Sequence, residues 1–228
     1  MKPITVLLAE DHQIVREGFR SLLEHERDIE VVGEAETGRQ AVQLTRKLRP
    51  SVVVMDIAMP LLNGMEATRQ IRKDFPNTRV LILSAHSDDA YIEQVALLGA
   101  AGFLLKQSSS HVLATAIREV QKGNTFFSPN ISKRLEDSSQ KTAARLATSG
   151  ASNKTRNRLS SREIEVLQLI AEGKANKQVA AELGVSFKTV DKHRQHLMAK
   201  LNIHDTAGLT RYAISMGIIE SSVQLTIV

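Results

Sequence analysis

The sequence predicts an α/β domain built on a five-stranded parallel sheet, followed by a small all-α domain. Three observations carry that reading. Short apolar runs alternate with amphipathic stretches over the first 125 residues, which is the pattern of βαβ units. The runs are almost wholly apolar, as strands covered on both faces are. The last 70 residues read as consecutive helices separated by capping residues and glycine.

In chain order, the expected strands are 4–9 (ITVLLA), 29–33 (IEVVG), 51–55 (SVVVM), 79–83 (RVLIL) and 102–105 (GFLL). Helical patterns occupy 14–25, 38–48, 64–74, 88–98 and 110–121. Towards the C-terminus, Ser160 and Glu163 stand in capping-box spacing and open a helix to about Glu172, with Ile164, Leu167, Ile170 and Ala171 on its inner stripe. Asn176 opens a second helix, NKQVAAEL, which stops at Gly184. Ser186 caps a third, FKTVDKHRQHLMAKL, whose Val190, Leu197 and Leu201 face inward. Short helix, glycine turn and longer helix together make a helix-turn-helix. A last helix spans Asp205 to Met216, with Leu209, Tyr212 and Ala213 on one face.

Composition narrows the function classes. A hydrophobic content of 42% over 228 residues suffices for two cores. The net charge of +5 is unevenly placed: residues 1–125 carry 15 Lys and Arg against 16 Asp and Glu, residues 126–158 carry 7 against 2, and residues 159–228 carry 8 against 7. The basic, apolar-poor stretch 126–158 is therefore expected to be a solvated linker between domains at 1–125 and 159–228, with SKRLEDSSQKTAARLA able to form part of a helix. No run approaches the roughly 18 apolar residues a membrane helix needs, and ITVLLAEDH meets acids too early for a signal peptide. A cytoplasmic protein without membrane contact is expected. Zero cysteines suits a reducing compartment and removes thiolate nucleophiles and cysteine metal sites.

Ligands of a parallel α/β sheet bind outside the carboxyl ends of its strands, and the first domain places its polar residues there. The first run ends on Glu10 and Asp11, the third on Asp56, the fourth on Ser84 and the fifth on Lys106. Singly, each has an ordinary structural explanation: Asp11, Asp56 or Ser84 as a helix N-cap, Lys106 as a solvated charge. Together, at one edge of one sheet, they define a pocket. Three carboxylates held close repel, and one resists ionising unless a cation joins them. An oxygen-rich, sulfur-free set of this kind suits Mg²⁺ before Zn²⁺.

On these residues, positions 1–122 resemble the receiver domain of bacterial two-component response regulators, a flavodoxin-like, doubly wound fold. The resemblance implies that Asp56 accepts a phosphoryl group from a sensor histidine kinase, and that Glu10, Asp11, Asp56 and the main-chain carbonyl of Ala58 hold Mg²⁺. It further implies that Lys106 pairs with the phosphoryl oxygens, that Ser84 donates a hydrogen bond to one of them, and that Phe103, three residues before the lysine, follows Ser84. Met59, Pro60 and Gly64 match the family's loop over the site. Read without the family, Phe103 is simply a core residue. Glu10 departs from the more usual aspartate. Ala58 and His86 flank the approach of water to the phosphoryl group. A carboxylate attacking phosphorus gives an acyl phosphate, so cations must offset charge on the equatorial oxygens.

The string LSSREIEVLQLIAEGKANKQVAAELGVSFKTVDKHRQHLMAKLNI is similar to the LuxR-type DNA-binding domain. Joined to a receiver, it marks the NarL/FixJ class of response regulators. On that resemblance the third helix enters the major groove of double-stranded DNA. Lys192 and Gln195 are then expected at base edges, and Lys177, Lys188, Thr189 and Arg194 at phosphates. Asp191, where a basic residue is common, either accepts from a cytosine amino group or orients Lys192. His193 is a phosphate donor or a half-buried packing residue. The last helix lies near the family's dimer contact, and core packing accounts for its apolar face equally well; a homodimer is expected on phosphorylation or on DNA. Two other classes fit less well. An aspartate-based phosphatase wants a second acid where Ala58 stands, so a regulator is expected rather than an enzyme, and AEDHQ offers no glycine-rich loop for a nucleotide. An adaptor whose C-terminal domain binds protein stays open, and salt-sensitive DNA binding separates it from the first reading.

Overall fold

Runs of valine, isoleucine and leucine fit a pleated surface covered on both sides, and all five form strands. β1 (Ile4–Ala9), β2 (Ile29–Ala35), β3 (Val52–Asp56), β4 (Arg79–Ser84) and β5 (Gly102–Leu105) make one sheet in the order β2-β1-β3-β4-β5, with every neighbouring pair parallel. The computed structural model describes residues 2–85, 92, 95–127 and 159–219, and the chain divides into two units, Met1–Asn153 and Lys154–Val228. The strand order turns back at β1, which has β2 on one side and β3 on the other. That reversal opens a crevice at the carboxyl ends of β1 and β3.

Alternate residues of each strand serve opposite cores. On one face, Leu7, Val53, Met55, Val80, Ile82 and Phe103 meet Ala41 of α2 (Gly38–Leu48) and Ala67 and Ile71 of α3 (Gly64–Asp74). On the other, Val6, Leu8, Val54 and Leu81 meet Leu23 of α1 (Gln13–Glu24) and Leu113, Ile117 and Val120 of α4 (Ser110–Gln121). Because both faces are covered, the strands show no polar alternation. Each fully buried valine or leucine contributes about 1.5–3 kcal/mol. Of the helix expected over 88–98, residues 92 and 95–97 are helical and most of the remainder lies outside the described residues.

Several boundaries shift by one residue from the sequence reading, and two differ by more. β2 runs on to Ala35, because a bulge opposite Val6 and Leu7 resets its register and Glu34 and Ala35 keep pairing with Leu8 and Ala9. Phe126 and Phe127, expected in the linker, belong to the first unit. The Phe126 amide donates to Ala101 and its carbonyl accepts from Phe103 at 2.9 Å each, while Phe127 packs on the core that holds Phe103. Two apolar rings beside an open sheet edge gain by covering it. The rest of the expected linker lies outside the described residues.

The second unit is helical: α5 (Ser161–Ala171), α6 (Asn176–Leu183), α7 (Phe187–Leu201) and α8 (Thr206–Ser215). Ser160 and Glu163 form the capping box, Ser186 accepts from the Thr189 amide, and Gly184 ends α6 at φ +62. The inner stripe of α5 is broader than expected. Val166, Leu167, Leu169 and Ile170 are buried while Ile164 and Ala171 are half-buried, because both α7 and α8 pack on this helix. Val190 and Leu197 of α7 and Leu209 and Ala213 of α8 complete the core, with Leu201 and Tyr212 half-buried.

Candidate functional site

Sheet register decides which polar residues meet. Ala9 is paired with Met55, so the next residues, Glu10 and Asp56, stand side by side at the carboxyl edge. Both are buried, at 2% and 3% exposure. Lys106 follows β5, its amide donating to the Ser84 carbonyl at 2.8 Å, and its side chain turns back into the crevice. There Nζ lies 2.8 Å from Glu10 Oε2 and 3.0 Å from Asp56 Oδ1. The other oxygen, Asp56 Oδ2, is buried and accepts no hydrogen bond.

The electrostatics follow from this crowding. Burial, and then the charge of Glu10, push the Asp56 carboxyl up to about 6, against the pull of Lys106 and the Ile57 amide. Burial alone would lower Lys106, but Asp56 and Glu10 outweigh it and hold the ammonium above its ordinary value. His12 is raised chiefly by Asp11, whose Oδ1 lies 2.9 Å from its Nδ1. Glu10, Asp11 and His12 bring one ligand atom each within 4.8 Å of one another. The carboxylates of Glu10 and Asp11 fit a hard divalent cation; Asp56 is not within that group, and Lys106 Nζ stands between its Oδ1 and Glu10.

The structure places the remaining expected residues as follows. Ser84 is buried at the end of β4, Phe103 is buried beside Ile82, and Ala58 is half-buried two residues past Asp56. His86 lies outside the described residues. The loop after β3 is closed by the Gly64 amide, which donates to the Ile57 carbonyl at 2.8 Å. A Cβ at position 64 would stand 1.9 Å from the Asp56 carbonyl oxygen, so only glycine lets the loop pass this close.

One residue of this region escaped the sequence reading. Arg16 of α1 is buried, with Nη1 donating to the Glu10 carbonyl at 2.7 Å, Nε to Glu34 at 3.1 Å and Nη2 to Glu36 at 2.9 Å. It fixes the main chain that carries Glu10 and Asp11. Its position on the inner side of an amphipathic helix was the available signal.

In the second unit, Lys177, Lys188, Lys192 and Gln195 are exposed, and Thr189, Asp191, His193 and Arg194 are half-buried. Asp191 accepts from Gln195 Nε2 at 2.9 Å, one turn along the helix. Arg194 donates to Asn176 at 3.0 Å and to Thr206 at 2.8 Å, tying α6 and α8 to α7. Thr189 Oγ1 shares a 2.8 Å hydrogen bond with Ser186. Buried Glu163 receives Lys200 at 2.6 Å; burial opposes its ionisation, but Lys200 and Ser160 prevail and hold it below the usual glutamate value.

Crevice and helix-turn-helix together define a class: a parallel α/β domain with an acidic crevice at its carboxyl edge, followed by a helix-turn-helix domain. Residues 6–118 match the model of the response regulator receiver domain, and residues 157–213 match that of the bacterial regulatory proteins of the LuxR family. The chain belongs to the response regulators, as a member that carries a LuxR-type DNA-binding domain and serves transcription regulation. It is 37% identical over 216 residues to the oxygen regulatory protein NreC of Staphylococcus carnosus, covering 94% of this chain and 99% of that one. It is 38% identical over 210 residues to the transcriptional regulatory protein LiaR of Bacillus subtilis, covering 92% and 96%. Among solved structures, the RcsB response regulator of Salmonella typhimurium aligns with a TM-score of 0.60 and 30% identity, over 95% of this chain and 99% of that chain. A further structure, described as two RcsB dimers bound to two parallel DNAs, aligns with a TM-score of 0.55 and 29% identity over 94% and 99%.

Proposed function

We propose that Asp56 accepts a phosphoryl group from a sensor histidine kinase and that this modification governs binding of α7 to double-stranded DNA. The observation that carries the reading is the asymmetry of the Asp56 carboxylate: Lys106 holds Oδ1 at 3.0 Å, while buried Oδ2 accepts no hydrogen bond. Oδ2 is the oxygen free to attack. It forms the new oxygen–phosphorus bond as the bond from phosphorus to the donor's histidine nitrogen breaks. Mg²⁺ held by Glu10, Asp11, Asp56 and the Ala58 carbonyl would supply positive charge to the equatorial oxygens. Lys106 adds its ammonium, and in doing so exchanges Asp56 for a phosphoryl oxygen. Ser84 donates a hydrogen bond from its hydroxyl to another oxygen and draws its loop inward, with Phe103 following. Arg16 keeps the Glu10 main chain in place throughout.

In the second domain, Lys192 and Gln195 read base edges, with Gln195 steadied by Asp191. Lys177, Lys188 and Thr189 meet phosphates, as do the N–H groups that Arg194 retains beyond its bonds to Asn176 and Thr206. A homodimer engages paired half-sites, and the protein works in the cytoplasm. The test is mass spectrometry after incubation with a small phosphodonor and Mg²⁺. A hydroxylamine-labile adduct is expected on Asp56 and none on Asp56→Asn. If Asp56→Asn bound DNA as tightly as the phosphorylated wild type, the switch would be refuted.

A further inference from the structure

Phe187 is the large apolar side chain that the second domain leaves most open to solvent among the described residues, at 57% exposure. It is the first residue of α7, directly after the Ser186 cap and directly before exposed Lys188. A phenyl ring in water costs free energy that burial elsewhere would recover. The domain core is complete without it: Val190 and Leu197 of the same helix are fully buried. Phe187 also stands four residues before Asp191 and eight before Gln195. These three therefore share one row along the helix, with Lys188 and Lys192 on the adjoining row.

From this placement we infer that Phe187 is a specificity-determining residue that packs on the 5-methyl group of a thymine in the major groove. The inference rests on the proposal that α7 enters that groove. The two exposed lysines argue for DNA as the occupant, since they offer a polyanion positive charge along the row beside the ring. The thymine methyl is the apolar feature of the major-groove edge, and an aromatic ring is an established complement to it. Eight residues of helix span about 12 Å, so the thymine falls about three to four base pairs from the pair read by Gln195.

The experiment uses the full chain and a duplex selected by it from a random-sequence pool, with each thymine of one half-site replaced in turn by deoxyuridine, which lacks only the methyl group. For the wild type, replacement at one position is expected to weaken binding roughly fourfold, the effect of losing contact with one methyl. Phe187→Ala should weaken binding to the parent duplex and show no further loss at that position, while Phe187→Leu should keep most of the discrimination. If Phe187→Ala retains the wild-type response to deoxyuridine, or weakens all duplexes alike, or if no thymine in the wild-type half-site is sensitive, the inference is overturned while DNA binding stands. If no duplex is retained at all, the DNA-binding proposal fails and takes the inference with it.

Discussion

At the scale of single residues, Asp56 is held at a disadvantage that its chemistry uses. An unfolded aspartate titrates near 3.8 and the folded Asp56 near 6, so the folded state binds the extra proton between those values. Stability falls as pH rises through that window and stays lower above it. Asp56→Asn is therefore expected to stabilise the metal-free protein by about 1–3 kcal/mol at pH 7.5, with the gain vanishing below about pH 4; denaturant titrations at the two pH values measure it. Glu163 has the opposite sign. Its folded pKa lies below the unfolded value of 4.5, so its contribution is present above that value and lost as pH falls through the lower one. Glu163→Gln should flatten the acid limb of the second domain's unfolding profile and cost about 1–3 kcal/mol at pH 7, because Lys200 and Ser160 lose a charged acceptor.

At the scale of elements, the segment between β3 and α3 shows how a missing side chain positions a reactive one. With a Cβ 1.9 Å from the Asp56 carbonyl, Gly64→Ala must move either the α3 N-terminus or the end of β3. The expected cost is about 1–3 kcal/mol or more in stability. A slower acyl-phosphate yield should accompany it, read by mass spectrometry against time in the same samples. Ile71, fully buried where α3 meets the sheet, tests packing apart from chemistry: Ile71→Ala should cost about 2–5 kcal/mol and leave the yield of the folded fraction unchanged. Helix α5 corrects a habit of reading. A single apolar stripe suffices for a helix covered on one side, but α5 meets α6, α7 and α8, and burial then extends to Gln168 at 1% exposure.

At the scale of the whole molecule, net charge limits what one copy can do on DNA. Residues 159–228 carry 8 Lys and Arg against 7 Asp and Glu, so affinity must come from a few placed cations and from pairing two copies. The salt dependence of binding to a duplex with two half-sites should be about twice as steep as for one half-site, and Lys188→Ala should reduce the slope by about one per copy, as measured by titration across salt concentrations. The sheet was legible because fully covered strands must be apolar throughout, and the crevice because their polar ends collect at one edge. Arg16 was not, since its partners Glu34, at the end of β2, and Glu36, just past it, stand 18 and 20 positions away, beyond the reach of helical spacing. Nor was the grip of Lys106 on Glu10, because distance across a sheet leaves no trace in local periodicity. Phe126 has a wider consequence. Its main chain is stitched to Ala101 and Phe103, on the same strand that leads into Lys106. Those two bonds occupy backbone groups on the outer side of β5 that would otherwise face water, so peeling Phe126 away would bare a row of unpaired donors and acceptors at that border of the sheet.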